Sequence, residues 1–352
     1  MEIDLGAVAH NVHVLRAAAS PAAVWAVVKA DAYGHGAVPA ARAAVEAGAD
    51  SLCVALVDEG LELRAAGIDA PILVLSEQPP EQAAAAAAAG LQLTVSSPAG
   101  IAAARGTPMH LKIDTGMHRA GCAPGDAVAL AREAGADLVG VSTHLACADD
   151  PASPVTAGQL ECFTRVLAEL RGAGIDPGIV HAANSAAALA HPAARFDAVR
   201  AGIAVYGARP GPGVADVCAD LRPVMRLVAR VSSVRRVGAG EGISYGHRYR
   251  TSSVTTAATV PLGYADGVPR RYGLVGGEVL VGGRRRPIAG VVTMDQLVLD
   301  CGTASVAVGD EVVLIGHQGD EEITVEEWAE RLDTITYEVT CGIRRRVPRR
   351  WS

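Results

Sequence analysis

The chain has 352 residues and a formal net charge of −7, and half of its residues are hydrophobic although only 3% are aromatic. This length suits one large domain followed by a smaller one. The acidic balance gives no reason to expect a nucleic-acid partner, and polar residues or glycine interrupt every apolar run before it reaches membrane-spanning length. The start lacks the basic and apolar regions of a signal peptide, and the seven cysteines form no C-x-x-C pair. We therefore expect a cytoplasmic protein with neither a disulfide framework nor a metal site.

Short apolar strands alternate with alanine-rich helical segments from residue 24 to about residue 206. The predicted strands are residues 24–30, 52–56, 72–75, 91–95, 110–114, 138–144, 178–183 and 198–206. Helical patterns such as residues 37–49 and 159–174 fill the gaps between them, and the alanine run at 81–90 is also expected to be a helix. Eight βα units predict a (β/α)8 TIM barrel, with an open doubly wound sheet as the alternative.

The pattern changes after residue 213. Segments rich in β-branched residues and broken by glycine predict a mainly antiparallel β domain, with one helix near residues 323–332. We place the boundary near residue 220, which gives a barrel over residues 1–220 and a β domain over residues 221–352. The first few residues are candidates to join the β domain.

Only two of the 31 basic residues are lysines, Lys29 and Lys112. A guanidinium stays protonated and cannot form an imine, whereas an amine loses its proton when its pKa is lowered. Lysines that persist in so arginine-rich a chain are candidates for amine chemistry, although compositional chance is the alternative.

Polar residues gather where the barrel strands end, the place at which TIM barrels carry function. They are Lys29, Lys112, His144, Asn184, Ser185 and Arg200. Each alone is more often a structural histidine or a helix cap, but together they indicate a site. Backbone N–H groups of Gly202 and Ile203 could hold a phosphate. A lysine, an Arg–His pair and a phosphate cradle suggest a phosphorylated aldehyde held as a Schiff base, with pyridoxal 5′-phosphate (PLP) as the candidate.

Motifs spread over nearly the whole chain resemble those of alanine racemases, in the order found in that family. They are VVKADAYGHG, LKIDTGMHRAG, THLACAD, HAANSAA, VRAGIAVYG, ISYGHRY, GYADGVPR, VTMDQ and TYEVTCGIRRRVPR. The lysine motif alone is moderately specific, because other PLP barrels have similar strands. The complete set, including ISYG and TMDQ, is highly specific.

The resemblance implies a PLP-dependent, two-base alanine racemase that works as a homodimer with shared active sites. Lys29 would bind PLP and act as one base, and Tyr245 of the second subunit would be the opposing base. The remaining cofactor contacts would be Tyr33, His144, Ser185, Arg200, Gly202, Ile203 and Tyr337. Arg119 and the backbone of Met294 would bind the substrate carboxylate, and Lys112 would carry a carbamate that orients Arg119. Tyr264 and Asp295 would support the site.

Two departures from the family pattern, His118 and Thr293, touch neither catalytic base. The implied role is D-alanine supply for peptidoglycan synthesis, with a serine or broad-specificity racemase of the same fold as the alternative. A PLP-carrying barrel without catalysis would lack the β domain and the opposing tyrosine. A barrel decarboxylase would be longer and would have a cysteine-centred motif that is not found in this chain.

Overall fold

The computed structural model describes residues 1–352 and divides into two units. One unit is Leu5–Arg222. The other combines Met1–Asp4, which contains the strand Glu2–Ile3 (β1), with Pro223–Ser352.

Eight parallel strands of the first unit close into a barrel. They are Ala23–Val27 (β2), Ser51–Val54 (β3), Ile72–Val74 (β4), Gln92–Val95 (β5), Met109–Lys112 (β6), Leu138–Ser142 (β7), Ile179–His181 (β8) and Ala198–Ala201 (β9). Closure occurs where β2 pairs with β9, with Trp25 opposite Arg200. The predicted TIM barrel is confirmed, and the open-sheet alternative is wrong.

Helices cover the strands and bury their own alanine and leucine side chains against the barrel. They are Leu5–Ala19 (α1), Lys29–Tyr33 (α2), Ala37–Glu46 (α3), Val57–Ala65 (α4), Ala83–Ala88 (α5), Pro98–Ala103 (α6), Ala127–Ala134 (α7), Pro154–Gly172 (α8) and Ser185–Ala190 (α9). The alanine run is helical as α5, with Ala86 fully buried. No helix in the chain combines the length and apolarity that crossing a bilayer requires.

Several strands end earlier than the sequence predicts; the strand predicted to reach residue 206, for example, ends at Ala201. Two of these differences concern candidate site residues. Strand β2 ends at Val27, so Lys29 lies beyond it and opens α2, whose residues 30–32 have left-handed backbone angles. Strand β7 ends at Ser142, two residues before His144. Both residues thus follow their strands at the carboxyl end of the barrel, which is the usual functional end.

The second unit is mainly antiparallel, as predicted. Its strands after β1 are Met225–Arg230 (β10), Ser233–Val237 (β11), Gly242–Ile243 (β12), Tyr249–Arg250 (β13), Thr255–Val260 (β14), Glu278–Val281 (β15), Arg284–Pro287 (β16), Leu297–Asp300 (β17), Glu311–Gln318 (β18), Glu321–Ile323 (β19) and Arg350–Trp351 (β20). The main sheet has the order β16-β15-β18-β10-β1-β20, with β19 added on β18; β11-β14-β17 and β12-β13 form smaller sheets. Only the β1–β20 pair is parallel.

Two helices complete this unit, Val325–Leu332 (α10) and Thr336–Gly342 (α11). The predicted helix near residues 323–332 is α10. The Thr324 hydroxyl caps it by accepting from the Glu327 N–H, and the fully buried Trp328 donates its indole N–H to the Leu314 carbonyl. Helix α11, which carries Tyr337, was not anticipated from the apolar pattern.

Candidate active site

An aromatic and imidazole layer fills the barrel beneath its carboxyl end. Trp25 of β2, His110 of β6 and His181 of β8 contribute to it, with ring centroids 4.7 Å apart for Trp25–His181 and 5.0 Å for His110–His181. Both histidines are at most 1% exposed. Layers built from alternate strands are the normal packing of a TIM barrel, but two imidazoles in one layer also supply hydrogen-bonding groups.

Arg200, which pairs with Trp25 across β2 and β9, fixes the direction of every hydrogen bond in this layer. Its guanidinium contacts His181 Nδ1 at 2.6 Å, and because arginine only donates, that nitrogen accepts. The His181 Nε2–H must then donate to His110 Nδ1 at 3.0 Å, and His110 Nε2–H must donate to Gln92 Oε1 at 2.9 Å. The chain of donors therefore runs outward from Arg200 to Gln92, through two neutral imidazoles.

Arg200 also donates to the carbonyls of Thr143 and Ala182, at 2.9 and 3.0 Å, and approaches His144 Nδ1 at 3.3 Å. The side chain is therefore anchored to the residues that directly follow strands β7 and β8. A guanidinium has five N–H donors, so this anchoring leaves donor capacity for a ligand at the barrel mouth.

Burial and the nearby cations keep the histidines neutral. Burial first, then the charge of Arg200, lowers the pKa of His110 to about 4 and that of His144 to about 3. The same two causes hold the pKa of His181 well below its usual value. Burial also lowers the pKa of Arg200 to about 10, which leaves it protonated at neutral pH.

Lys29 follows β2 and begins the left-handed turn of α2. The turn ends at Gly34, whose own φ is 85°, and it buries Ala32 and Tyr33. The Tyr33 ring lies 5.2 Å from that of Tyr206, whose hydroxyl donates to the Val27 carbonyl at 2.9 Å. The turn thus places the Lys29 amine and the Tyr33 hydroxyl on the same loop.

Neutral donors converge at the ends of β8 and β9. The Ser185 hydroxyl, at the start of α9, accepts from the amides of Gly202 and Ala204 at 2.8 and 3.3 Å. A side chain at Gly202 would overlap the Tyr33 hydroxyl, so only glycine permits this approach. One cluster of hydrogen-bonding groups therefore surrounds Gly202, which has no Cβ. It consists of Ser185, Tyr33 and the amides of residues 202–204.

Lys112 ends β6 and faces several cations. Burial first, then the charges of Arg200, Arg119 and Lys29, lowers the pKa of its amine to about 8. The turn that carries Arg119 is held by Asp114, whose Oδ1 accepts from the amides of Gly116, Met117 and His118 at 3.0 Å each. The positive charges of two lysines and two arginines therefore lie close enough at the barrel mouth to affect the pKa of Lys112.

In the second unit, Tyr245 stands at the tip of the β12–β13 hairpin and is 71% exposed. Ser244 before it has a φ of 62°, in a region that favours glycine, and its hydroxyl donates to the Val291 carbonyl at 2.7 Å. Strained backbone persists only where its surroundings enforce it, and such residues cluster at functional sites.

The Met294 loop packs against residues 263–266 of the same unit. Tyr264 N–H donates to the Thr293 carbonyl and Ala265 N–H to the Met294 carbonyl, both at 3.0 Å. Arg346 binds Asp295 at 2.8 Å and the buried Asp266 at 3.0 Å. The loop is thus fixed while Met294 stays 53% exposed.

Tyr337 lies half-buried on α11, and Tyr264 is 36% exposed beside the Met294 loop. The barrel end thus collects Lys29, Tyr33, Lys112, Arg119, His144, Ser185, Arg200, Gly202 and Ile203, while Tyr245, Tyr264, Met294, Asp295 and Tyr337 belong to the other unit.

Sequence reasoning did not identify Gln92, His110, His181 or Glu59 as part of the site. A signal for the histidines was available: each is a polar residue inside an apolar barrel strand, and His110 shares a strand face with Lys112 two residues on. Glu59, which accepts from the Ala30 N–H at 2.6 Å, gave no such signal because it reads as an ordinary acid in the first turn of a helix.

Comparisons with known proteins agree with this architecture. The family described as "Alanine racemase, N-terminal domain" matches residues 3–210, and "Alanine racemase, C-terminal domain" matches residues 224–351. The chain is 49% identical to an alanine racemase of Thermobifida fusca, with 99% of this chain and 96% of that protein covered. It is also 49% identical to an alanine racemase of Symbiobacterium thermophilum, with 99% and 95% covered.

Solved structures give the same result. Alanine racemase from D-cycloserine-producing Streptomyces lavendulae matches with a TM-score of 0.93 and 44% identity, covering 100% of this chain and 96% of that one. The Bacillus anthracis alanine racemase with bound L-Ala-P matches with a TM-score of 0.92 and 40% identity, covering 100% and 94%. The motifs, the two-unit fold and full-length matches well above 30% identity lead to one conclusion: this chain belongs to the alanine racemase family of isomerases.

Proposed function

We propose that the protein is a PLP-dependent racemase that interconverts L-alanine and D-alanine, and that it works as a homodimer with shared active sites. The observation that carries the proposal is the arrangement at the carboxyl end of the barrel. There the loop bearing the Lys29 amine places Tyr33 against the Ser185–Gly202 cluster, and Arg200 is held as a fixed donor.

These residues fit PLP. A phosphorylated aldehyde needs an amine, a set of donors for its phosphate and a partner for its ring nitrogen. Lys29 supplies the amine and Arg200 the partner for the ring nitrogen. The donors for the phosphate are the cluster of Tyr33, Ser185, Gly202 and Ile203, with Tyr337 as a further phosphate donor. Gly202 supports the assignment because any Cβ there would close the space beside the Tyr33 hydroxyl.

Bound PLP supplies an electron sink that stabilises negative charge at the substrate Cα. Arg200 limits that sink, since a guanidinium can donate to the ring nitrogen but has no proton to surrender near neutral pH. Neutral His144 and His181, which accept from Arg200, hold it in this role. This arrangement favours proton return to Cα over side reactions such as transamination.

Racemisation needs a proton taken from one face of Cα and another delivered to the opposite face. We assign the first base to Lys29 and the second to Tyr245 of a partner subunit, because two groups on opposite faces avoid a single group having to swing around the substrate. The high exposure of Tyr245 on a strained hairpin supports its completing another subunit's site. Arg119 and the Met294 backbone would hold the substrate carboxylate.

For Lys112 we propose a carbamate. Carbamate formation requires a neutral amine, and a pKa of about 8 provides an appreciable neutral fraction near physiological pH. An ammonium here would add to the positive charge of Arg119, Arg200 and Lys29, whereas a carbamate reverses the sign and orients Arg119 through a charge-assisted hydrogen bond.

The finer assignments are those of the resemblance: D-alanine for peptidoglycan synthesis, a cytoplasmic location and Asp295 and Tyr264 as supporting residues. The alternative, a serine or broad-specificity racemase, would use the same bases and differ only in the space around the substrate side chain.

The decisive experiment labels the cofactor and measures activity in parallel. We expect purified protein with PLP to be yellow, and borohydride to fix PLP on the peptide that contains Lys29 rather than Lys112. Lys29→Ala should lose essentially all racemisation of L-alanine, while Lys112→Ala should raise KM for alanine more than it lowers kcat. Assays with L-alanine, L-serine and L-lysine rank the substrates. Label on Lys112, or no activity on alanine, would refute the assignment.

A further inference from the structure

The segment after Lys29 has an unusual backbone. Ala30, Asp31, Ala32 and Tyr33 all have φ of 54°, and ψ is close to 50° at the first three, so they form a left-handed helical turn without glycine. The left-handed conformation crowds Cβ against the following carbonyl in every L residue. Four such residues in succession persist only when the surroundings enforce the conformation.

Glu59 is placed to enforce it. Its Oε1 accepts from the Ala30 N–H at 2.6 Å, and its Oε2 accepts from the N–H groups of Ala55 and Leu56 at 2.7 and 3.1 Å. The same carboxylate therefore caps α4, after β3, and holds the first left-handed residue, after β2. Three backbone donors on one ionised carboxylate are charge-assisted bonds, the stronger kind of hydrogen bond.

Other contacts hold the turn as well: the Ala32 N–H donates to the Val28 carbonyl at 2.9 Å and the Gly34 N–H to the Ala30 carbonyl at 3.0 Å. Asp31 Oδ1 accepts from the Ala37 N–H at 2.9 Å at the start of α3, and the His35 ring stacks on Tyr206 with centroids 4.5 Å apart. At the near end Ala30 is exposed, so packing does not fix it. The Glu59 bond is thus the side-chain contact that fixes the residue next to Lys29.

We propose that Glu59 is a positioning residue for Lys29: by holding the Ala30 N–H it maintains the left-handed turn that orients the lysine amine and the Tyr33 hydroxyl at the barrel mouth. The role in PLP binding rests on the function proposed above, whereas the role in the turn does not. A glutamine cannot replace this carboxylate, because its NH2 group would face either Ala30 or the Ala55 and Leu56 donors.

The test uses Glu59→Gln with Asp58→Asn as the matched control, since Asp58 is an exposed acid in the same first turn of α4. In the cofactor-free protein we expect hydrogen–deuterium exchange at residues 30–34 to be at least about tenfold faster in Glu59→Gln, with the barrel strands unchanged. We expect PLP to bind the same variant about tenfold or more weakly. Asp58→Asn should match the wild type in both measurements.

A rescue variant separates positioning from general stability. Ala30→Gly removes the Cβ that opposes the left-handed conformation, at an exposed position where little packing is lost. Adding it to Glu59→Gln should restore slow exchange at residues 31–34 and most of the PLP affinity.

Three results would overturn the proposal: wild-type exchange at residues 30–34 in Glu59→Gln, faster exchange throughout the barrel, or no rescue by Ala30→Gly. Wild-type protein that binds no PLP would instead refute the proposed function, while the exchange data would still decide the role of Glu59.

Discussion

At the scale of single residues, the two lysines and Arg200 could be selected from the sequence because their chemistry is distinctive. His144, a partner of Arg200, could be selected as well. The hydrogen-bonded chain through His181, His110 and Gln92 could not, since it joins strands that come together only in the folded barrel. His110 and Gln92 belong to neighbouring strands, and His181 reaches both His110 and Arg200 only inside the closed barrel.

The neutral histidines predict a specific pH dependence of stability. The folded-state pKa of His110 is about 4 against a usual value of 6.5, and that of His144 is about 3. Between the usual pKa and the lowered folded-state pKa of each histidine, the unfolded chain binds a proton that the folded chain does not. The free energy of unfolding therefore falls as the pH drops from 6.5 towards 4. Each such histidine contributes up to about 1.4 kcal/mol per pH unit.

Denaturant unfolding at pH 7, 6 and 5 measures this slope. His110→Gln keeps an acceptor for His181 but removes one titrating group, so its slope should be shallower by up to about 1.4 kcal/mol per pH unit. His13→Gln, at an exposed histidine of α1, is the control. Equal slopes in His110→Gln and wild type would contradict the neutral-imidazole description.

At the scale of elements, the RRR run at residues 284–286 contributes to a network of ion pairs. It forms β16, and Arg285 binds Glu327 at 2.7 Å and Glu321 at 3.1 Å. Arg331 joins the network through Glu278 at 2.7 Å and Glu327 at 3.0 Å. The network connects the sheet edge to α10, through side chains that are 22–45% exposed.

We predict that Glu327→Gln lowers the free energy of unfolding at pH 7 by about 1–2 kcal/mol, because two arginines lose a shared carboxylate in a network. Burial raises the pKa of Glu327, but the hydrogen bonds and charges of Arg285 and Arg331 outweigh it, so the pKa is lowered overall. The stabilisation is therefore present above pH 4.5 and lost as the pH falls further. Glu330→Gln, at an exposed acid of the same helix, should change little; equal losses in both variants would show that the network contributes nothing.

At the scale of the whole molecule, the proposed function places the two catalytic bases on different subunits. Met294 and Tyr245 are both more than half exposed on the second unit, although each is assigned to a site. Both side chains are therefore accessible to a partner subunit, as the proposed function requires.

Subunit mixing tests this arrangement. Lys29→Ala and Tyr245→Phe should each be inactive alone, and a mixed dimer of the two has one site with both bases intact. Random exchange makes about half of the dimers mixed, so roughly a quarter of wild-type activity should return. Each variant carried alone through the same dissociation and reassembly is the control. Mixed dimers that form but stay inactive would place both bases on one subunit.

The sequence by itself determined the barrel and the β domain, and it supplied the residues of the proposed site. Hydrophobic periodicity depends only on residues close together in the chain. Motifs such as VVKADAYGHG can likewise be recognised from the sequence without knowledge of the fold. The sequence pattern misplaced the ends of strands, such as the extension of β2 through Lys29, where apolar residues continue past the last strand pairing, and it did not predict helix α11.

Only the tertiary structure decided the left-handed turn at residues 30–33 and the donor direction from Arg200 to Gln92. Alanine and tyrosine carry no local signal for a left-handed backbone, which is imposed here by a carboxylate 29 residues away in the chain. An imidazole likewise has no preferred tautomer until a donor-only neighbour fixes one. Both features arise from contacts between different elements of the barrel, and such contacts exist only once the chain has folded.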